Sequence, residues 1–411
     1  MRMENIRGFR RILWYGIPAY GHVYSNLYLA KYLVEKGFYV IYYSMEEFRW
    51  DIEAHGCECR VYPIGEKELD LTDGQKIIKL YRLILQYTEN MMPFLLEEAV
   101  QEQPCGVIFE SLALWGRIVG QLLHVPSFSF YSIASIGRVA GKGYMEYMRG
   151  FSADFLSYAG ELPQAWRIRN RIARKWNGRK LGMISVLMGN GDWNLMGYSR
   201  LFQPGGKQFG EKYRFLGPLA LYRQETGNND FVYPQGSMIY ISLGTIFNQD
   251  ERLIREVVKQ FGSKKRNITG EHKDEEYSVV MVWNRMDEEK KTEFPDNFIV
   301  RRFVNQKEVM RQACLFISAG GMNSIHEALY YGVPCLMCPQ QGEQLLNARR
   351  FEKLGFGKIL RNPDRLRKEA EAVMRLREKW DEKKRMEMTK ACLEEMDVIW
   401  EWMRGVSGDE A

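Results

Sequence analysis

Two adjacent glycines between a predicted strand and a predicted helix form the first pattern in this chain that could do chemistry. Gly320 and Gly321 follow the apolar run 314–317 and precede apolar residues at helical spacing over 325–329. Glycine lets the backbone come close to a ligand, and the first amides of a helix face that ligand with the positive end of the helix dipole. The pattern predicts a phosphate-binding turn.

A second polar group opens the next predicted helix. Glu343, Gln344 and Asn347 follow another apolar strand, which contains 333–338. Since parallel strands place the loops after them at one edge of the sheet, both loops are expected to serve one ligand. Together they indicate the donor half of a nucleotide-sugar site.

His22 is the third candidate, in the predicted turn after the first strand, 11–17. A histidine at the carboxyl end of a parallel strand faces the cleft of a two-domain α/β enzyme. Its near-neutral pKa suits removal of a proton from a hydroxyl group. Taken alone, such a histidine is more often structural than catalytic.

The segment 303–347 resembles the donor signature of GT-B glycosyltransferases in the macrolide and plant-type UDP-glucosyltransferase family. That signature runs W-V-P-Q, then H-G-G-M-N-S-x-x-E-A-L, then an acidic residue with Gln and N-A. This chain has F-V-N-Q from Phe303, A-G-G-M-N-S-I-H-E-A-L from Ala319, and E-Q with N-A from Glu343. The resemblance covers most of the chain and implies two Rossmann-like α/β domains whose parallel sheets face a central cleft.

The resemblance also implies a catalytic pair. His22 occupies the position of the general base, and the carboxylate that orients it corresponds to Glu110, where the family has Asp. The additional methylene moves the carboxylate by about one bond length, whereas productive geometry is demanding at about the 0.5 Å scale. We expect a His22–Glu110 dyad.

The same resemblance assigns the donor-binding residues. Phe303 replaces the family's Trp as the stacking partner of the base, while the Val304 backbone and Gln306 contact uracil and ribose. The diphosphate would be held by Gly320, Gly321, Asn323 and Ser324, with Gly244 and Thr245 on the first loop of the second domain. Glu343 and Gln344 would bind the sugar hydroxyls.

Glu327 has two interpretations. The resemblance implies that it binds the ribose hydroxyls. The spacing Ser324-x-x-Glu327 also matches a capping box at the start of the same helix.

Ala319 is the main departure from the family, which has a phosphate-contacting His at this position. Losing one hydrogen bond to a charged group costs about 1.5–3 kcal/mol, or roughly tenfold to over a hundredfold in affinity. Together, Ala319 and Glu110 leave open an unusual donor, a slow enzyme, or a catalytically impaired GT-B-like protein that binds nucleotide sugars or assists another enzyme.

Composition limits the class of protein. The 411 residues, 45% hydrophobic and 27% charged, suit two globular α/β domains. A net charge of +6 is mild and gives no reason to expect a nucleic-acid partner. Seven cysteines without disulfide-type spacing suggest a reducing compartment, and Cys335-x-x-Cys338 fits a buried strand better than half of a zinc site.

Other classes are excluded by what the sequence lacks. No G-x-G-x-x-G follows the first strand, which argues against a Rossmann dehydrogenase. No Asp-x-Asp motif is present, so we expect no metal and no cofactor beyond the sugar nucleotide. Apolar runs are too short for a membrane span, and we expect a cytoplasmic protein without stable membrane insertion.

The predicted organisation is an acceptor domain over 1–217, a linker over 218–236, a donor domain over 237–390 and a final helix over 391–411 that returns to the first domain. The aromatic segment 136–179 could form packed helices, the wall of an apolar acceptor pocket, or both. The basic tail 361–403 could be a solvated helical surface or could dock on a membrane or lipid acceptor.

The predicted activity is therefore inverting, metal-independent transfer of a hexose, glucose from UDP-glucose in the first instance, to a hydroxyl of a hydrophobic small molecule. His22 would be the general base. The acceptor, the choice between UDP and dTDP, and the oligomeric state are left open.

Overall fold

A computed structural model describes residues 10–65, 77–135, 159–176, 181–222, 234, 236–244, 251–262, 277–283, 294–340 and 342–405. The chain divides into two compact units, Met1–Thr226 with Lys390–Ala411 and Gly227–Thr389. The predicted linker over 218–236 spans this division, and most of it lies outside the described residues. So do 136–158 and 177–179, which are 26 of the 44 residues of the aromatic segment 136–179.

The first unit is built on a seven-stranded sheet. Its strands are β1 (Arg10–Tyr15), β2 (Phe38–Ser44), β3 (Glu58–Val61), β4 (Gly106–Glu110), β5 (Ser127–Tyr131), β6 (Trp193–Met196) and β7 (Tyr213–Phe215). They pair in the order β3-β2-β1-β4-β5-β6-β7, and every pair is parallel. All residues of β4 and β5 are buried, as parallel strands covered on both faces require. The sequence of β4 is largely apolar up to Glu110, whereas β5 alternates serine with aromatic residues.

Helices connect these strands. They are α1 (Tyr20–Glu35), α2 (Arg49–Ala54), α3 (Ile77–Glu102), α4 (Leu114–Leu123), α5 (Leu162–Lys175) and α6 (Met183–Leu187). Gly116 lets α4 pack closely on the sheet, because a Cβ there would lie 2.6 Å from Phe109 Cβ and 2.8 Å from the Tyr15 ring. Any side chain at this position would push α4 away from β1 and β4.

Helix α1 begins at Tyr20, so His22 lies in its first turn and not in the predicted turn before the helix. Ala19 has extended backbone, and its carbonyl accepts hydrogen bonds from the amides of His22 and Val23, both at 2.9 Å. The prediction was wrong because Pro18 and Gly21 have the composition of a turn, whereas Ala19 already provides the first helical acceptor.

The second unit contains a six-stranded parallel sheet in the order β10-β9-β8-β11-β12-β13. Its strands are β8 (Met238–Ser242), β9 (Ser278–Val282), β10 (Phe298–Arg301), β11 (Ala313–Ser318), β12 (Cys335–Met337) and β13 (Gly357–Ile359). Its helices are α7 (Glu251–Phe261), α8 (Gln306–Gln312), α9 (Met322–Tyr331), α10 (Gly342–Leu354), α11 (Leu366–Leu376) and α12 (Glu382–Thr389). The parallel order places the loops after β8, β11 and β12 side by side at one edge.

The last helix, α13 (Leu393–Gly405), packs into the core of the first unit. Met396, Ile399 and Met403 are buried there. The Trp402 ring meets Phe128 edge-on at 5.2 Å between centroids. Lys36 Nζ donates to Asp397 Oδ1 at 2.8 Å. The first unit therefore draws part of its core from a segment that follows the whole second unit in sequence.

None of the helices in the described part of the chain combines the length and apolar character needed to cross a bilayer.

Candidate active site

Three neighbouring strands of the first unit bring His22, Glu110 and Ser132 together. His22 lies on the helix that follows β1, Glu110 is the last residue of β4, and Ser132 directly follows β5. Since β1, β4 and β5 are adjacent parallel strands, their carboxyl ends meet at one edge of the sheet. Three residues distant in sequence thus form one polar cluster.

The cluster is closely hydrogen-bonded. His22 Nδ1 lies 2.5 Å from Glu110 Oε1, and Ser132 Oγ lies 2.9 Å from the same nitrogen. The Ser132 hydroxyl also donates to Glu110 Oε1, and the amide of Ser111 donates to Oε2 at 2.6 Å. The longer glutamate side chain therefore reaches the histidine in this chain.

The accessibility of the two side chains differs. Glu110 is fully buried, whereas 20% of the His22 side chain is exposed. A carboxylate can only accept hydrogen bonds, so Nδ1 carries the proton of this contact and Nε2 keeps its lone pair. The arrangement can accept a proton at Nε2 and stabilise the resulting imidazolium against a buried carboxylate.

The backbone of His22 is also held in place. Asn26 is fully buried; its Nδ2 donates to the His22 carbonyl at 3.0 Å, and its Oδ1 accepts from Tyr42 OH at 2.9 Å. The Ser25 hydroxyl donates to the same carbonyl at 2.6 Å. These contacts tie the first turn of α1 to β2 and limit movement of the imidazole.

Ser132 was not among the residues predicted from the sequence. One feature of the sequence could have identified it: Ser132 directly follows β5, the strand that pairs with β4, and β4 ends in Glu110. A polar residue at such a strand end belongs to the same edge as the predicted base. Because its hydroxyl contacts both His22 and Glu110, Ser132 is a positioning residue for the pair.

Ser132→Ala is expected to lower kcat about tenfold, the value of one hydrogen bond to a charged group, with the KM for the donor unchanged. Ser132→Thr keeps the hydroxyl and is expected to restore most of the rate. Steady-state kinetics of both variants, beside their melting temperatures, test this. An equal loss of kcat in the Ala and Thr variants would mean that Ser132 contributes only through packing and not through its hydroxyl.

In the second unit, the turn after β11 has the geometry of an anion site. Gly320 has a positive φ of 86°, and Gly321 is the N-cap of α9, with no side chain capping that end. The first helical bond of this end runs from the Ile325 amide to the Gly321 carbonyl at 3.1 Å, and the amides before it point out of the helix. A Cβ at Gly321 would meet nothing within 4 Å, so a ligand can approach this backbone.

Two predicted neighbours of this turn lie beside it. A Cβ at Gly320 would lie 3.2 Å from the Gln344 carbonyl, so the start of α10 adjoins the glycine turn. Ser242 pairs with Ser318 across β8 and β11, which places Gly244, with its positive φ of 93°, at the same edge. Thr245 lies outside the described residues.

Gln306 lies at the centre of a second polar cluster. Its Nε2 donates to Glu327 and, at 3.2 Å, to Ser324 Oγ, while its Oε1 accepts from Tyr240 OH at 3.1 Å. Tyr240 was missed from the sequence because it lies inside the apolar strand β8. The cluster joins the predicted ribose ligands to one another.

The alternative reading of Glu327 as part of a capping box is wrong. Helix α9 begins at Met322 with Gly321 as its N-cap, so Ser324 is inside the helix. Glu327 is almost completely buried and bonds to Gln306. The serine–glutamate spacing thus reflects a contact with α8 and not the start of the helix.

The remaining predicted donor residues differ in exposure. Phe303 is 80% exposed and presents an aromatic face to solvent, while Val304 and Ala319 are buried. Glu343 Oε1 accepts from Asn347 Nδ2 at 2.6 Å, and Gln344 Oε1 accepts from the Gln340 amide at 2.9 Å. Asn323 is half-buried in the first turn of α9.

The two cysteines of the C-x-x-C motif are buried at and after β12, and burial raises the pKa of Cys335. No group of three or more potential metal ligands occurs among the residues described above. Burial of both thiols is consistent with a structural role for the motif.

His326 is buried within α9 of the second unit. Burial lowers its pKa from the ordinary value near 6.5 to about 4, although a hydrogen bond between Nδ1 and the Met322 carbonyl at 2.8 Å opposes this shift. The folded protein thus keeps His326 neutral at pH values where the unfolded chain would protonate it.

Stability is therefore expected to fall between about pH 6.5 and pH 4, by roughly 3 kcal/mol in total, because the unfolded state binds the proton more strongly. Denaturant unfolding of the wild type and His326→Leu at pH 7.5 and pH 5 measures this. The variant should lose less stability on acidification. Parallel losses in both proteins would contradict the prediction.

Residues 246–399 match the model of the glycosyltransferase family 28 C-terminal domain. The chain is 30% identical to the NDP-glycosyltransferase YjiC of Bacillus subtilis over 84% of this chain and 83% of that protein. It is 28% identical to the uncharacterized UDP-glucosyltransferase YojK of the same organism, over 86% and 85%.

A solved structure agrees with these matches. The calicheamicin glycosyltransferase CalG4 aligns over 100% of both chains with a TM-score of 0.75 at 19% identity. At that identity the likeness concerns the fold, and it matches the two parallel-sheet units.

Proposed function

Because this chain belongs to the family of GT-B glycosyltransferases that includes YjiC and YojK, we propose that it transfers glucose from UDP-glucose to a hydroxyl of a hydrophobic small molecule, with inversion at the anomeric carbon. The predicted α/β fold and the predicted glycosyltransferase class are both confirmed by these matches. The donor, the stereochemistry and the base belong to the proposal.

The single observation that carries the mechanism is the His22–Glu110 contact. His22 Nε2 takes the proton of the acceptor hydroxyl while the oxygen forms a bond to the anomeric carbon. The bond from that carbon to the diphosphate oxygen breaks, and UDP leaves with the electron pair. Glu110, 2.5 Å from Nδ1, stabilises the imidazolium that results.

Support for a sugar nucleotide comes from the two clusters of the second unit. The turn at Gly320 and Gly321 offers amides and a helix dipole to a diphosphate. The Gln306–Glu327 contact offers paired polar groups to a ribose, and Phe303 offers an exposed ring to a base. Glu343 and Gln344 at the start of α10 remain the proposed ligands of the sugar hydroxyls.

A thermal-shift titration tests the donor. UDP-glucose is compared with dTDP-glucose, UDP-N-acetylglucosamine and NADH. A ligand at a hundred times its Kd adds about 2.7 kcal/mol of stability, which is readily seen as a higher melting temperature. Stabilisation by UDP-glucose and not by NADH is expected.

The second candidate is a GT-B-like protein that no longer transfers sugar and assists another enzyme. Ala319 is the observation that favours it, since no imidazole stands at the phosphate position. Absence of any shift with sugar nucleotides at millimolar concentration would support this candidate and reject UDP-glucose as donor.

A further inference from the structure

The positive charge of this chain is concentrated in one short stretch of the first unit. Between residues 162 and 191 the sequence has seven Arg and Lys residues and no Asp or Glu, whereas the whole chain has a net charge of +6. The remaining 381 residues therefore have a small negative excess. The mild overall charge conceals a strongly basic segment.

Helix α5 presents this charge on its outward side. Its inner face, Ala165, Ile168 and Ile172, is buried in the core of the first unit. The opposite half of the helix exposes Arg167 and Arg174, which are two turns apart. The helix is therefore amphipathic, with a cationic polar face.

Part of the charge is available to a partner. Arg171 forms a bidentate ion pair with Glu89 on α3: its Nε donates to Oε1 at 2.6 Å and its Nη2 donates to Oε2 at 2.7 Å. The charge of Arg171 is therefore neutralised within the first unit. Arg167 and Arg174 form no ion pair with any residue in the described ranges. Nothing acidic occurs on α5 to oppose them.

Two large apolar side chains of this basic segment are exposed. Trp166 is 58% exposed on α5, and Ile184 is 62% exposed on the short helix α6. The two helices meet at Tyr81 of α3: its hydroxyl donates to the Leu181 carbonyl at 3.2 Å, just before α6. Burial raises the pKa of that hydroxyl, and the Arg169 guanidinium of α5 opposes the shift.

We propose that this surface, formed by Trp166, Arg167 and Arg174 of α5 with Ile184 of α6, docks the protein on an anionic lipid bilayer. Cations within a Debye length of the bilayer are attracted by anionic headgroups. A Trp at the headgroup level and an aliphatic side chain just below it are typical of interfacial helices. Ile184 gives no benefit to a nucleic-acid partner, whose bases are held by stacking on aromatic rings.

This docking is independent of the transferase mechanism, since neither His22 nor Glu110 belongs to the surface. For the tail 361–403, the alternative of a solvated helical surface is then the one that applies. The tail helices alternate acidic and basic residues, with pairs such as Arg367–Glu371 at 3.4 Å and Arg385–Glu382 at 2.7 Å. The tail therefore has less unbalanced charge to offer a bilayer.

The test is co-sedimentation of the full chain with vesicles of phosphatidylcholine alone and with about 30% phosphatidylglycerol added. Binding is expected only to the anionic vesicles and is expected to weaken as salt is raised. Arg167→Gln with Arg174→Gln should reduce the partition coefficient about 25-fold, at roughly fivefold per charge. Trp166→Ser should reduce it at unchanged charge.

A matched control removes the same charge from the tail. Lys368 and Lys383 are exposed on α11 and α12, and Lys368→Gln with Lys383→Gln should leave the partition coefficient within about twofold of wild type. Equal losses in the two double variants, or equal binding to neutral vesicles, would overturn the proposal. Binding of a short DNA duplex with no binding to anionic vesicles would overturn it in favour of a nucleic-acid partner.

Discussion

Replacing His22 by Ala is expected to lower the rate of sugar transfer by about 10²- to 10⁴-fold, the usual contribution of a positioned general base. The affinity for UDP-glucose is expected to stay within about twofold, since every proposed donor ligand lies in the second unit. Single-turnover kinetics with saturating donor, together with calorimetric titration of UDP, separate the two quantities.

One complication is that the Ala variant leaves the fully buried Glu110 without its histidine partner. Removing one partner of a buried pair can destabilise a protein by about 3–5 kcal/mol. His22→Gln serves as the matched variant, because its amide can donate to Glu110 but cannot accept a proton in the reaction. Both variants should be slow, and the Gln variant should melt closer to the wild type.

Chemical rescue by added imidazole is an independent test of the role of His22 as general base. Small bases should partly restore transfer in His22→Ala and should do nothing for His22→Gln, where the side chain fills the space. Wild-type rates in either variant would falsify the role of His22 as base. Restoration of melting temperature without restoration of rate would leave that role intact.

Ala319→His is expected to tighten the binding of UDP-glucose by roughly tenfold to a hundredfold, because an imidazole there adds a hydrogen bond to a charged phosphate. Ala319 lies between the end of β11 and Gly320, next to the proposed diphosphate site. The dissociation constant of UDP, measured by calorimetry, reports the change without reference to the acceptor.

A control variant must separate the effect of side-chain size at position 319 on UDP binding from the effect of a new hydrogen bond. Ala319 is only 2% exposed, so any larger side chain has to displace neighbouring atoms. Ala319→Leu adds a side chain of similar reach without a donor and is expected to weaken UDP binding. Equal affinities in Ala, Leu and His proteins would mean that the phosphates do not contact residue 319.

Much of the fold could be predicted because its determinants are local. The apolar run 314–317 of β11 could be read directly from the sequence, since strands buried on both faces carry few polar residues. The glycine turn at Gly320 could also be predicted from the sequence, because a positive φ at the start of a helix selects glycine. These features depend on a few adjacent residues.

The contacts that complete the candidate site could not be predicted from the sequence. Ser132 approaches Glu110 only because β4 and β5 pair in register, and Tyr240 reaches Gln306 from inside an apolar strand. The early start of α1 was missed because one backbone conformation, at Ala19, decides it. Each of these depends on tertiary geometry that spacing along the chain does not reveal.

The packing of α13 on the first unit has a consequence for biosynthesis. Met396, Ile399 and Met403 emerge from the ribosome only after the second unit has been made, although they belong to the core of the unit synthesised first. At about 5–20 residues per second, the nascent first unit waits on the order of ten seconds or more with that apolar surface uncovered. The half of the enzyme that is synthesised first is completed last.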